Sequence, residues 1–163
     1  MSKRLSARKA LAIAMILIMG MASCLIAGCS SGSSNPDANL TAQAEPGNGA
    51  ILAGSNYGNA GVQVTASPDA SVYVKVKDMA GGTKVGFYVR SGSTAEVRVP
   101  SGTYSVQFAS GETWYGNSDR FGSKTSYGQD ESVTLRDGEV ITYKLQRSTN
   151  GNFSMDTLDG SKF

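Results

Sequence analysis

From residue 51 onward, apolar and polar residues alternate with a period of two. Val72, Val74 and Val76 fall on one side of their segment, with Tyr73, Lys75 and Lys77 on the other. Val85, Phe87 and Val89 alternate with Gly86, Tyr88 and Arg90, and Val97 and Val99 alternate with Glu96 and Arg98. Tyr104, Val106 and Phe108 alternate with Ser105 and Gln107. Val62 and Val64 open the series. Val133, Leu135, the run from Glu139 to Arg147, and finally Phe153 and Met155 close it. Successive strand side chains point to opposite faces, so each segment predicts a strand with one buried face. Gly- and Asp-containing clusters at 78–82, 91–93, 100–102, 110–111, 136–138 and 150–152 predict the turns. No helical period of useful length is present. Seven or eight such strands predict an all-β domain over 51–163, a single antiparallel β-sandwich, with an open barrel as the alternative.

The first fifty residues follow a different pattern. Lys3, Arg4, Arg8 and Lys9 form a basic head, and no charged residue occurs from Ala10 to Gly28. A basic head before an apolar run is the layout of an export signal. The run is nearly long enough to span a bilayer, so an uncleaved membrane anchor is the competing reading. The segment ends in Leu25-Ile26-Ala27-Gly28-Cys29. This resembles the lipobox of bacterial lipoproteins, with an aliphatic residue three before the Cys and small residues next to it. The resemblance implies a signal peptide over 1–28, cleavage between Gly28 and Cys29, and a diacylglyceryl group on the Cys29 thiol. Cys24 is a poorer acceptor because Met21 stands where the aliphatic residue belongs. At roughly 0.8 kcal/mol per buried CH2, the acyl chains hold the protein on the membrane. Either reading places the remainder of the chain on the extracytoplasmic face of the cell membrane.

Ser30-Ser31-Gly32-Ser33-Ser34-Asn35-Pro36 begins a stretch poor in large apolar groups that runs to Pro46-Gly47-Asn48-Gly49. Composition of this kind does not bury enough surface to offset ordering entropy. Residues 29–50 are therefore expected to be a lipidated N-terminus followed by a disordered tether. As a free coil, about 20 residues extend on the order of 25 Å.

Charge and composition narrow the chemistry. The formal net charge of +2 comes from the basic head: without its four cations, 11 Lys+Arg face 13 Asp+Glu. No basic patch remains to suggest nucleic acid. The chain has no His, which removes Ser-His-Asp and Cys-His nucleophiles and all His-ligated metal sites. With Cys24 cleaved off and Cys29 acylated, no disulfide, thiol nucleophile or thiolate metal site is left. No cofactor or metal site is expected. Asp130-Glu131 and Asp137 with Glu139 are candidates for a hydrolytic pair or a Ca2+ site. Neighbouring acids on a strand face opposite ways, and Asp137 suits its Asp-Gly turn, so these read as solvated charges. Lys75, Lys77 or Lys144 linked to Asn150 or Asn152 would make an isopeptide bond, but these lysines fall on the outward faces. Gly81-Gly82 has no strand–helix unit around it and is not a phosphate loop.

Two further resemblances concern the folded part. Val99-Pro100-Ser101-Gly102-Thr103-Tyr104 resembles the strand–turn–strand corner of transthyretin-like and carboxypeptidase-regulatory-like sandwiches. Together with Phe87-Tyr88-Val89-Arg90, Gly111-Glu112-Thr113-Trp114-Tyr115-Gly116, Phe121-Gly122 and Thr125-Ser126-Tyr127, it is similar to a recurrent extracytoplasmic domain of bacterial lipoproteins. That family brings no activity with it.

The segment Glu112–Gln129 carries the chemical variety: Trp114, Tyr115, Asn117, Asp119, Arg120 and Tyr127. Long loops of mixed chemistry are candidate functional loops. One reading is a platform for carbohydrate or peptidoglycan, with aromatic faces on sugar C–H surfaces and Asn117, Asp119 and Arg120 on hydroxyls. The other folds Trp114, Tyr115 and Phe121 inward as a plug at one end of the sandwich, with Gly116 and Gly122 at positive φ. The sequence therefore predicts a membrane-anchored, non-enzymatic interaction or structural module. Its expected partners are the membrane through its lipid and a cell-wall glycan or envelope protein.

Overall fold

The computed structural model describes residues 35–146 and 156–163. Gly28, Cys29, Asn150, Asn152, Phe153 and Met155 lie outside the described residues. The described chain is all-β, with nine strands in two sheets. They are β1 (Ile51–Gly54), β2 (Ala60–Thr65), β3 (Ser71–Asp78), β4 (Thr83–Val89), β5 (Thr94–Val99), β6 (Gly102–Gly111), β7 (Ser126–Leu135), β8 (Val140–Lys144) and the short β9 (Asp156–Thr157). The larger sheet has the order β1-β4-β3-β6-β7-β9, and the smaller β5-β2-β8. All pairs are antiparallel except β2 with β8, which run parallel. Strand β1 adds an element before Val62, and β7 begins at Ser126, which shortens the varied loop to 112–125.

The apolar face of the alternation packs between the sheets. Val62, Val64, Val74, Val76, Val85, Phe87, Val97, Val99, Val106 and Phe108 are buried there, closed by Tyr104, Leu135 and Tyr143. The Tyr143 hydroxyl donates to Asp130 Oδ2 at 2.9 Å, so Asp130 is bound and not a free surface charge. At the Pro100–Gly102 corner, the Tyr104 hydroxyl donates back to the Pro100 carbonyl at 2.7 Å. This closes a tyrosine corner between β5 and β6.

The two sheets differ on their other faces. β5 alternates cleanly, with Thr94, Glu96 and Arg98 exposed and Ala95, Val97 and Val99 buried. In β3 and β4 the alternation of burial fails: Tyr73 and Tyr88, placed on the solvent side by the pattern, are fully buried. The cause is a second apolar layer on the outer face of the larger sheet. Tyr73, Tyr88 and Ala109 are covered there by Trp114, Phe121, Leu158 and Phe163.

Residues 35–50 form an ordered strap, not the expected disordered tether. Asp37 accepts from Ser123 N and Oγ, both at 2.8 Å. Gln43 donates through its backbone to Trp114 O at 2.8 Å and through Nε2 to Tyr115 O at 3.0 Å. Glu45 Oε1 accepts from Ser71 Oγ at 2.9 Å and from the Tyr88 hydroxyl at 3.1 Å. Arg90 donates to the Pro46 and Glu45 carbonyls, and Asn48 bonds Thr94 O and Arg90 N. Composition reports how little apolar surface a segment carries. It does not report acceptors and carbonyls that match donors on a surface already folded.

Candidate functional site

The varied loop leaves β6 at Gly111, and its path depends on two close approaches. A Cβ at Gly111 would lie 2.3 Å from Phe121 Cβ, so only glycine lets Phe121 settle against β6. Gly116 has φ +103°, and a side chain there would meet the Gln43 amide. Arg120 also takes positive φ, +53°, unusual for a residue with a side chain. It closes the turn through Arg120 N to Gly116 O and Tyr115 N to Arg120 O, each at 2.7 Å.

Trp114 is 4% exposed. Its ring packs edge-on against Tyr73, Tyr88 and Phe121, with centroid distances of 6.0, 5.1 and 5.3 Å. No face is left for stacking on a sugar. The inward reading of Trp114 and Phe121 therefore matches their burial, but their location differs from the expected plug. Both cover the outer face of the larger sheet, and of the two only Phe121 also reaches the end of the sandwich. Strand alternation assigns that face to solvent, which hides the cover from sequence.

The other candidate residues have separate roles. Asn117 is exposed, its amide 3.4 Å from Leu52 O. Asp119 is exposed, and its backbone oxygen accepts from Gly122 N at 2.8 Å. Arg120 turns away from both and pins the C-terminal segment. It donates to the Tyr127 hydroxyl at 3.2 Å and to Phe163 O at 3.3 Å, with its guanidinium 4.7 Å from the Phe163 ring. Lys77 donates to Lys162 O at 2.9 Å. Lys75 lies 4.5 Å from the centre of the Phe163 ring. Burial, reinforced by the Arg120 and Lys77 charges, pulls the Lys75 ammonium down to about 8. Sequence placed these cations on an outward face, but only the C-terminal segment folding over them makes that face half-dry.

A recess of about 670 Å³ opens at the end of the sandwich where β3 starts and β6 ends. Val72, Phe108 and Phe121 form its buried depth, and Tyr115, Tyr127, Glu112, Lys124 and Lys144 stand around it with hydroxyls from Ser110, Thr113 and Ser126. Of the predicted binding residues, Tyr115 and Tyr127 reach it, whereas Trp114, Asn117, Asp119 and Arg120 do not line it. The candidate hydrolytic acids Asp130, Glu131, Asp137 and Glu139 do not line it. Glu131 accepts from Gln129, and Glu139 accepts from the Arg136 backbone N–H and guanidinium. Among the described residues, no three acids or thiols gather as metal ligands. No family model, curated protein or solved structure matches the chain.

Proposed function

We propose that this chain is an exported lipoprotein held on the extracytoplasmic face of the cell membrane by an acylated Cys29. Its folded part works as a non-enzymatic interaction or structural module. The observation that carries the reading is the Leu25–Cys29 lipobox at the end of an uncharged run behind a basic head. The folded part supports a module that presents a fixed surface: the aromatic loop, the N-terminal strap and the C-terminal segment are all tied to the larger sheet. The test is mass analysis of the membrane-extracted protein together with fractionation of Cys29→Ala. The expected result is an N-terminal acylated Cys29 and release of the variant from the membrane. An intact Met1 with an unmodified thiol and unchanged membrane retention would overturn the reading in favour of an uncleaved anchor.

A second reading, a glycan-binding module, is favoured by one observation: Tyr115 and Tyr127 flank a recess edged with Ser and Thr hydroxyls. Aromatic faces beside hydroxyl donors suit a neutral polyhydroxyl ligand. Titration with soluble wall fragments should then perturb Tyr115 and Tyr127 resonances and leave the Trp114 indole unchanged. Flat titrations would remove this reading.

A further inference from the structure

The strap changes how far the anchor lets the folded part travel. If residues 29–50 hung free, the contour from Cys29 to β1 would reach about 75 Å at roughly 3.4 Å per residue. The strap is instead fixed from Asp37 onward, and its fixed points lie at one end of the sandwich or on the outer face beside it. Asp37 sits on Ser123, Gln43 on Trp114 and Tyr115, Glu45 on Ser71, and Asn48 on Arg90 and Thr94. Asn35 and Asp37 also line the recess at that end. Whatever the conformation of the intervening residues, six steps from Cys29 to Asn35 span at most about 20 Å. Strand β6 is ten residues long and places the opposite end, with the Pro100–Gly102 corner and the 79–82 turn, roughly 30 Å further along.

We infer that the recess end of the sandwich faces the bilayer, so that its partner surface is the lipid headgroup layer. The Pro100–Gly102 end then points away from the membrane. The inference rests on acylation of Cys29 and on the docked strap. It assigns the strap a job: shortening a long tether into a short one and choosing which end meets the lipid. Lys124 and Lys144 are exposed cations beside the recess, and exposed Arg90 lies at the same end. A group entering the recess must be reachable at headgroup level.

The test uses the full processed chain in phosphatidylcholine vesicles that carry a headgroup energy acceptor. Acylation leaves no other free thiol, so Lys124→Cys and Ser101→Cys each take a single donor dye at the two ends. Both positions are exposed. Energy transfer is expected to be several-fold greater from position 124 than from position 101. Inserting about twenty Gly and Ser residues between Ser34 and Asn35 is expected to abolish most of that difference. Equal transfer from both ends, or greater transfer from position 101, would overturn the orientation. Flotation of the unlabelled parent separates the two failures. A parent that does not float with the vesicles overturns the anchor, and a parent that floats with equal transfer overturns the orientation alone.

Discussion

The two faces of the larger sheet are built by different means. Between the sheets, the core is almost entirely strand residues, most of them valines at alternate positions. On the outer face, the sheet supplies Tyr73, Tyr88 and Ala109, and the cover comes from residues distant in sequence: Trp114, Phe121, Leu158 and Phe163. The inner layer follows from a local rule applied strand by strand. The outer layer follows from one connection and the C-terminal segment meeting over one surface. A local pattern can reveal the first and only hint at the second.

The comparison can be broken by truncating each layer. Phe87→Ala opens the inner core and is expected to cost about 3–5 kcal/mol in chemical denaturation. Trp114→Ala should cost nearly as much, about 3 kcal/mol, because its ring is equally enclosed. A Trp114→Ala loss below about 1 kcal/mol would make the outer layer a loose drape. Glu45→Ala tests the strap. It removes the acceptor of the Ser71 and Tyr88 hydroxyls and is expected to cost about 1–3 kcal/mol, with faster proteolysis between residues 35 and 50. A strap that adds nothing to stability would leave both measurements unchanged.

The smallest effect concerns pH. Lys75 titrates near 8 in the folded protein against an ordinary 10.5. Below pH 8 it is charged in both folded and unfolded chains, and its desolvation weighs against folding in full. Between 8 and 10.5 the unfolded chain holds more protons, so this contribution makes stability rise with pH. The ammonium is only partly enclosed and stays solvent-screened, so the gain is about 1 kcal/mol. Buried Tyr73, Tyr88, Tyr104 and Tyr143 have raised values, mainly through burial, and pull the other way above pH 10. They are common to parent and variant, so urea midpoints of the parent relative to Lys75→Met isolate the lysine. The parent is expected to gain on the variant from pH 8 to 10.5. A constant difference would place Lys75 in open water.

Much of the fold was legible because alternation is a direct image of a sheet with one buried face. The valines of β2, β3, β4 and β5 and the Pro100–Gly102 corner sit where the pattern puts them. The parallel β2·β8 pair was not legible, since alternation carries no strand direction. The site was legible only in composition. Glu112–Gln129 stood out for its variety, yet Trp114 and Tyr115 are neighbours with opposite fates, one enclosed and one beside the recess. That difference depends on Tyr73 and Tyr88 lying under the loop, a relation between residues some 40 and 26 positions apart that no local period encodes. The strap escaped for a related reason. Its fixing groups are single polar atoms of Asp37, Gln43 and Glu45, matched to donors on a folded surface.

Trp114 is the only tryptophan, so its fluorescence reports the outer layer without interference. The account predicts blue-shifted emission that resists acrylamide and does not change when soluble peptidoglycan fragments are added. Emission typical of an indole in water, quenched by acrylamide and altered by those fragments, would contradict it.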